Sequence, residues 1–335
     1  FGARAPGAGE TMRVADGICW ARIPMPGSLG HINSWLLDDD GGWAVVDTGM
    51  LLTTCSDAWK ALFGAALDGA KLTRIMCTHM HPDHIGLAGW LAKRSGADVW
   101  MTRGEWLTAR MLVADARDDV PEEVLASQRG AGWTDEELDE TRSKGWGRFS
   151  RMVYPMPVGF RRLQDGDTLQ LGAHVWKIVV GSGHSPEHAC FYNERSGVLV
   201  SGDQVLPRIS SNVSVNSSEP MADPLGEWLE SIDKLIALLP ADLLVCPAHG
   251  EPFKGLHVRL KALRDEHLAR LEALLVHLQQ PRRVVDCFGQ LFNREIGSEH
   301  RDLATGEALA HLRRLELEGQ VRRETRDGIW WFHAC

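Results

Sequence analysis

Four side chains of the types that bind metals crowd into six residues at His79-x-His81-x-Asp83-His84. Imidazole nitrogens and carboxylate oxygens are the usual ligands of zinc and similar divalent ions. A polar turn with chance histidines is the alternative, but neutral imidazoles packed together without a cation would leave polar groups poorly satisfied. The cluster therefore indicates a metal site.

Three further candidate ligands stand at comparable positions, each after an apolar run that predicts a buried strand. A loop at the end of a strand is where α/β folds expose their sites. A lone histidine in such a place is more often structural, whereas four such places in one chain form a specific constellation. The three candidates are His184 after residues 177–183, Asp203 after residues 198–202, and His249 after residues 243–248.

This ordered set resembles the metallo-β-lactamase superfamily, and the resemblance covers about residues 17–253. It implies an α+β fold, namely a four-layer αββα sandwich with a two-metal site at one edge. Besides the six-residue cluster, the matching segments are Val46-Asp47-Thr48-Gly49, Gly183-His184-Ser185-Pro186, Ser201-Gly202-Asp203 and Pro247-Ala248-His249-Gly250.

The resemblance also implies a role for each matching residue. One metal is expected to bind three histidines, a second metal two histidines and a carboxylate, and one carboxylate is expected to bridge them. Asp83 or Asp203 is expected to take part in proton transfer. The first metal is assigned His79, His81 and His184, the second Asp83, His84 and His249, and the bridge is Asp203.

Two more residues lie beside this ligand set. Asp47 is expected to accept a hydrogen bond from a ligand histidine or to hold the loop, although a simple helix cap before Leu51 is the alternative. His188, four residues after His184, has three open interpretations: a donor that faces the substrate, a group that supports a ligand, or a solvated loop residue.

Two divalent ions in such a site imply a hydrolase. A hydroxide shared between them, with a pKa near 7, attacks a carbonyl carbon or a phosphorus, and the metals polarise the electrophile. Zinc is the expected metal for a histidine-rich site, with iron or manganese as alternatives.

The chain of 335 residues is long for one core, so a large domain with a smaller one is expected. We predict a flexible tail over residues 1–16, a catalytic domain over 17–255 with a helical insertion at about 105–155, and a winged-helix-like domain over 256–335. The last resembles the C-terminal module of the β-lactamase-like-protein-2 group, which includes glyoxalase II-like hydrolases and an animal endoribonuclease.

The role of the insertion stays open between an apolar lid over the metals, an ordinary packed pair of helices, and a contact in a homodimer. Its apolar candidates for a lid are Met101, Trp106, Met111, Trp133, Trp146 and Met152.

Two classes of substrate compete. The first is a small molecule with a thioester, another activated ester or a lactone, and the second is single-stranded RNA. The formal net charge of −9, and nine arginines balanced by nine acids between residues 282 and 327, disfavour a nucleic-acid partner. A β-lactamase ranks lower, because no lysine can be assigned to a β-lactam carboxylate.

The remaining composition indicates a cytoplasmic protein. Its seven cysteines are scattered and never form a C-x-x-C pair, which argues against a disulfide framework or a thiolate metal site. No apolar run reaches the length of a membrane span, and no signal-peptide pattern is present at the start.

Overall fold

The computed structural model describes residues 4–335. Its first sheet has seven strands in chain order, antiparallel from the first to the fourth and parallel from the fourth to the seventh. The strands are β1 (Met12–Ala15), β2 (Ile18–Pro24), β3 (His31–Asp39), β4 (Gly42–Val46), β5 (Lys71–Met76), β6 (Asp98–Met101) and β7 (Arg161–Arg162).

The second sheet has five strands, and strands that follow one another in the chain are neighbours in the sheet. The first four strands pair antiparallel, and the fifth pairs parallel to the fourth. They are β8 (Thr168–Leu171), β9 (His174–Gly181), β10 (His188–Asn193), β11 (Val198–Gly202) and β12 (Leu244–Pro247).

The two sheets pack face to face over an aromatic core. Trp20 and Trp35 of the first sheet and Trp176 and Phe191 of the second are fully buried in one cluster between the sheets. Because successive side chains alternate between the faces of a strand, the neighbours of these residues point to the outer faces. Many of those neighbours, among them Cys19, Leu36 and Cys190, are also apolar and buried, so both sheets need a cover of helices.

Helices cover each outer face. Beside the first sheet lie α1 (Thr53–Phe63), α2 (Pro82–Ile85) and α3 (Ala88–Ser95). The amphipathic helix α8 (Pro224–Leu238) covers the second sheet through Trp228 and Ile232. This arrangement confirms the predicted α+β sandwich of four layers.

The segment predicted as an insertion is helical, with α4 (Arg103–Ala114), α5 (Glu122–Ala131), α6 (Asp135–Lys144) and α7 (Arg148–Arg151). Several of its apolar lid candidates pack inside the fold, whereas Met111 is 46% exposed. Met101 and Trp106 are buried behind the first sheet, and Trp133 is buried against the C-terminal helices. For these three residues the packed arrangement holds and the prediction of a lid is wrong.

The C-terminal part contains helices and a hairpin, as expected from its pattern. They are α9 (Leu256–His277), α10 (Phe288–Leu291), α11 (Arg301–Leu317), β13 (Val321–Arg326) and β14 (Ile329–Ala334), with two short 3-10 turns at Val285–Cys287 and Ser298–His300. The likeness to a winged helix and the domain boundary at residue 256 stay predictions.

The insertion and the C-terminal part contact each other directly. Trp133 Nε1 donates to Thr305 Oγ1 at 3.0 Å, and Arg301 forms an ion pair with Glu137 at 2.8 Å. Both sides share one apolar core with α8. The predicted insertion therefore packs as a support for the C-terminal helices.

The tail predicted over residues 1–16 is shorter than expected. Residues 1–3 lie outside the described range, and Met12–Ala15 form β1, which pairs with β2 through Met12 and Arg13. A strand whose main-chain groups bond to a neighbouring strand is part of the sheet. All seven cysteines are free thiols. Between residues 4 and 335, no helix is long and apolar enough to cross a bilayer.

Candidate metal centre

The candidate ligands meet at the ends of four strands. His79 and His81 follow β5, and Asp83 and His84 lie in the single turn of α2, which begins at Pro82. The strand ends also supply the other three candidates: His184 follows β9, Asp203 follows β11 and His249 follows β12. The structure brings all seven together.

Three histidines form the first group. His79 Nε2 lies 2.8 Å from His81 Nδ1 and 3.2 Å from His184 Nε2. The third side of the triangle, from His81 Nδ1 to His184 Nε2, measures 3.1 Å. Three ring nitrogens thus converge on one point, and together they could hold a metal ion.

A second group lies beside the first. His249 Nε2 is 3.2 Å from Asp83 Oδ2, and His84 Nε2 is 3.5 Å from the same oxygen. These three residues could hold another ion. The second group matches the set expected for the second metal.

Asp203 stands between the two groups. Its Oδ2 is 3.4 Å from His184 Nε2 in the first group and 3.5 Å from His84 Nε2 in the second. Its Oδ1 is 3.5 Å from His249 Nε2. A carboxylate in this position reaches both groups at once, which a bridging ligand must do.

The donor set fits divalent metal ions. Tetrahedral zinc with nitrogen ligands at about 2.0–2.1 Å has ligand atoms about 3.3 Å apart, near the separations in the first group. Buried polar atoms normally have hydrogen-bond partners, yet His84 Nε2 and Asp203 Oδ1 have none among the residues described. Both atoms point into the cluster, where a cation would satisfy them.

Hydrogen bonds on the outer sides of the rings fix their orientation. His184 Nδ1 donates to the carbonyl of Asn212 at 2.7 Å, and His249 Nδ1 donates to the carbonyl of His31 at 2.9 Å. A proton on Nδ1 leaves the Nε2 lone pair free to face inward. This is the usual way in which a protein prepares imidazole for a metal.

Asp47 supports the cluster from behind. Its carboxylate accepts from His84 Nδ1 at 2.8 Å and from the backbone N–H of Thr78 at 2.8 Å. Asp47 has a positive φ of 63°, and the helix α1 begins only at Thr53, after Leu52. The alternative in which Asp47 caps that helix is therefore wrong, and its carboxylate both contacts a candidate ligand and holds the loop.

The charges in the cluster divide its histidines into two kinds. Burial, reinforced by neighbouring imidazoles, lowers the pKa of His79 well below its ordinary value and that of His81 to about 3. Burial also acts to lower the pKa of His84, but Asp83 and Asp47 outweigh it and raise that pKa. Without a cation, a proton on His84 offsets the nearby carboxylates, so metal binding should release protons.

His188 lies behind the ligands and not in solvent. It is fully buried, its ring stacks on that of His79 with centroids 4.7 Å apart, and its Nε2 accepts the backbone N–H of Asp203 at 3.0 Å. A Cβ at Gly202 would lie 2.6 Å from the ring, so only glycine permits this contact. The interpretation as a solvated loop residue is wrong, and the ring supports two candidate ligands.

Two functional residues were not identified from the sequence. The buried Glu105 accepts from the backbone N–H groups of Met80 at 2.8 Å and Glu187 at 2.7 Å, so it joins two ligand loops. Asn33 donates to the carbonyls of Pro247 and Gly250 and thereby holds the loop of His249. Neither stands in a local pattern, because each acts on a segment at least 25 residues away.

Comparison with known proteins agrees with this geometry. The family model described as the metallo-beta-lactamase superfamily matches residues 27–249, and a model for the metallo-beta-lactamase-like C-terminal domain matches residues 271–335. A crystal structure of a beta-lactamase domain protein from Burkholderia ambifaria is 40% identical, with a TM-score of 0.91, over 100% of this chain and 97% of that one.

Several curated relatives carry the names of enzymes, and thioesterases are among them. The acyl-coenzyme A thioesterase MBLAC2 of Homo sapiens is 29% identical over 72% of this chain and 80% of its own length. The atrochrysone carboxyl ACP thioesterase of Emericella nidulans is 27% identical over 51% of this chain and 53% of its own. From the family models, the solved structure and the fold, the chain belongs to the metallo-β-lactamase superfamily and is a hydrolase.

Proposed function

We propose that the chain is a binuclear metal-dependent hydrolase that cleaves a thioester or another activated ester. The observation that carries the proposal is the position of Asp203, whose two carboxylate oxygens lie within 3.5 Å of nitrogens from both ligand groups. The first ion would be held by His79, His81 and His184, the second by Asp83, His84 and His249, and both by Asp203. Zinc is the proposed metal.

Two divalent ions bound there supply a water of low pKa as the nucleophile and a Lewis acid for the carbonyl oxygen. The chain itself orients the ligands. Asp47 and the carbonyls of Asn212 and His31 hold protons on the outer nitrogens of the histidines. Rigid ligands keep the geometry constant through the reaction, which lowers the cost of reorganisation.

Asp83 is the residue we propose for proton transfer. Its contacts with His84 and His249 run through Oδ2, which leaves Oδ1 outside the ligand group. Asp203, by contrast, approaches histidine nitrogens with both oxygens. Burial acts to raise the pKa of Asp83, but His84 and His249 outweigh it and hold that pKa below its ordinary value. The carboxylate is thus ionised, which a proton acceptor and a metal ligand both require.

The choice of a thioester rests on the relatives. Two of these relatives are named as thioesterases, one of acyl-coenzyme A and one of an acyl carrier protein. A thioester also has a good leaving group, so attack on its carbonyl needs little help at the sulfur. A lactone or an oxygen ester presents the same carbonyl and belongs to the same proposal.

Cleavage of RNA is not favoured by the surface of the C-terminal part. Of the nine arginines between residues 282 and 327, six form ion pairs with acids in the structure. A paired arginine offers less charge to a phosphate backbone. The six are Arg283, Arg301, Arg313, Arg314, Arg323 and Arg326.

The purified protein, loaded with zinc, tests the proposal against acyl-coenzyme A and glutathione thioesters, lactones, nitrocefin and single-stranded RNA. We expect thioester or ester turnover that a chelator abolishes and added zinc restores, with two ions per chain by elemental analysis. Asp83→Asn should bind the second ion less tightly and lose most turnover, because the amide is a weaker ligand and a weaker base than the carboxylate. Strong cleavage of RNA without ester turnover would overturn the choice of substrate, and one ion or none would overturn the binuclear centre.

A further inference from the structure

The loop between β11 and α8 is held by the C-terminal helices. It starts at Asp203 and runs past Asn212. Arg259 of α9 donates to the carbonyl of Leu206 at 2.6 Å and to that of Ile209 at 2.7 Å. The loop therefore depends on α9 for the partners of its main-chain carbonyls.

Asn212 connects this loop to a candidate ligand. Its carbonyl oxygen accepts the Nδ1 proton of His184, and its side-chain Nδ2 donates to Glu307 Oε2 of α11 at 3.0 Å and to the carbonyl of Leu303 at 3.3 Å. Two hydrogen bonds thus separate His184 from a carboxylate in the C-terminal part. The position of the Asn212 carbonyl follows from how its side chain is held.

Glu307 is a buried carboxylate that contacts the polar side chains of Asn212 and Arg270. The residue is 8% exposed, and its Oε1 lies 3.2 Å from Nη1 of Arg270. Burial raises its pKa, while Arg270 and Asn212 oppose that shift. A buried charge is costly unless it is paired. One partner here is the arginine, and the other is the residue that orients His184.

The backbone around Glu307 reinforces the contact. Gly306 accepts the N–H of Val215 at 3.0 Å, and a Cβ at Gly306 would lie 2.7 Å from the hydroxyl of Ser214. Only glycine lets the loop approach α11 so closely. The helix therefore presents Glu307 to Asn212 at a fixed distance.

We propose that Glu307 is a positioning residue of the metal centre, which acts through Asn212 on His184. The C-terminal part then contributes to metal affinity, in addition to any contact with a partner or substrate. This proposal rests on the metal centre proposed above, but not on the identity of the substrate. Replacement of a group that supports a metal ligand typically costs 10–100-fold in metal affinity.

A matched control exists on the same arginine. Glu266 of α9 binds Nη2 of Arg270 at 2.6 Å but is not bonded to Asn212 in the part of the chain that the structure describes. Glu266→Ala and Glu307→Ala each remove one carboxylate partner of Arg270. Only Glu307→Ala removes the support of Asn212. Glu307→Gln keeps an oxygen that can accept from Asn212 while it removes the charge.

The experiment measures the zinc dissociation constant of the full chain by competition with a chromophoric chelator, together with the visible spectrum of the cobalt(II)-substituted protein. We expect Glu307→Ala to raise the dissociation constant of one of the two zinc ions by about 10-fold and to alter the cobalt spectrum. Glu307→Gln should stay within about threefold of wild type and Glu266→Ala within about twofold. The rise of Tm on zinc addition should shrink in Glu307→Ala alone.

The outcomes separate the proposals. Equal zinc affinity and an unchanged cobalt spectrum in a folded Glu307→Ala would overturn the positioning role, as would equal losses in Glu307→Ala and Glu266→Ala. If Glu307→Ala does not fold, Asn212→Ala takes its place, because it removes the side chain that Glu307 holds. A loss of zinc affinity of about 10-fold in Asn212→Ala, with Glu307→Gln near wild type, supports the role, and an Asn212→Ala that binds zinc as tightly as Glu266→Ala contradicts it. Wild-type protein that binds zinc but cleaves no ester contradicts the proposed substrate only.

Discussion

Two clusters of buried histidines lie in this chain, and they differ in where their nitrogens point. In the candidate metal centre, ring nitrogens of His79, His81 and His184 face one another across 2.8–3.2 Å. In the C-terminal part, His267 and His311 also meet, with 3.1 Å between His267 Nδ1 and His311 Nε2. Both clusters are largely buried, but only the first concentrates acceptors on a shared point.

The second cluster is complete without an ion. His267 Nε2 lies 3.3 Å from the hydroxyl of Ser210, and His311 Nδ1 donates to the carbonyl of Glu307 at 2.8 Å. Every ring nitrogen therefore has a partner, and no carboxylate oxygen within residues 4–335 bonds to either ring. Burial lowers the pKa of His267 to about 3 and that of His311 to about 4.

The difference shows how to separate a metal site from a structural histidine pair. Carboxylates inside the cluster raise the pKa of His84, whereas the C-terminal pair contains only uncharged rings at neutral pH. In the candidate metal centre a cation would replace protons on the histidines, whereas the His267–His311 pair offers a cation no free ligand atom. Convergent acceptors with acids between them mark the site, and burial of histidines alone does not.

The largest effect is expected from Asp203→Ala. Both ligand groups lose a shared oxygen, so the pair of ions should be disrupted and the hydrolysis rate should fall by about 10³-fold or more. Elemental analysis and kcat/KM measure the two losses. Asp165→Ala, which removes an exposed partner of Lys234, is the control and should leave both unchanged. A variant that kept two ions and full activity would refute the bridging role.

Asp47→Asn should have the next largest effect. The amide keeps the size of the side chain but weakens its bond to His84 Nδ1 and removes a charge that favours the positive form of that ring. We expect zinc affinity to fall by about 10–100-fold, with the fold retained. Competition with a chelator measures the affinity, and circular dichroism checks the fold. Unchanged affinity would restrict Asp47 to holding the loop at Thr78.

His311→Asn should lower stability and leave the metal stoichiometry at two. The shorter side chain loses the contact with His267 and leaves a buried nitrogen without a partner, which costs about 1–3 kcal/mol in the free energy of unfolding. Urea unfolding of the metal-free protein measures this loss. Loss of an ion from the folded variant would contradict the distinction between the two clusters.

The smallest effect is a change in the pH dependence of stability. The pKa values of His267 and His311 lie below the ordinary 6.5. Below pH 6.5 these two residues therefore bind protons in the unfolded chain but stay neutral in the folded one. Its contribution is complete above pH 6.5 and is lost as the pH falls from 6.5 toward 4, by about 1.4 kcal/mol per pH unit for each proton involved. Urea unfolding at pH 7, 6 and 5 should show a shallower decline in His311→Asn than in wild type. Parallel declines would contradict this origin.

Local pattern predicted the candidate ligands, and the resemblance of their order to the metallo-β-lactamase superfamily predicted the fold class. Apolar runs predicted β9, β11 and β12 within a few residues, because most side chains of these strands are buried. The ligands were found because each follows one of these runs. The same reasoning missed β1 in the predicted tail. It also left three roles open for His188, since the burial of a single polar residue leaves no mark on its neighbours in sequence.

By itself, the sequence determined that histidines and aspartates stand at the ends of buried strands, and the resemblance that they carry implied an α+β sandwich. Only the tertiary structure decided what supports those side chains. Glu105, Asn33 and Glu307 each act on a segment 25 to more than 200 residues away, through hydrogen bonds that no spacing encodes. Ligand type is a property of residues, whereas the direction of a lone pair is a property of the packed chain.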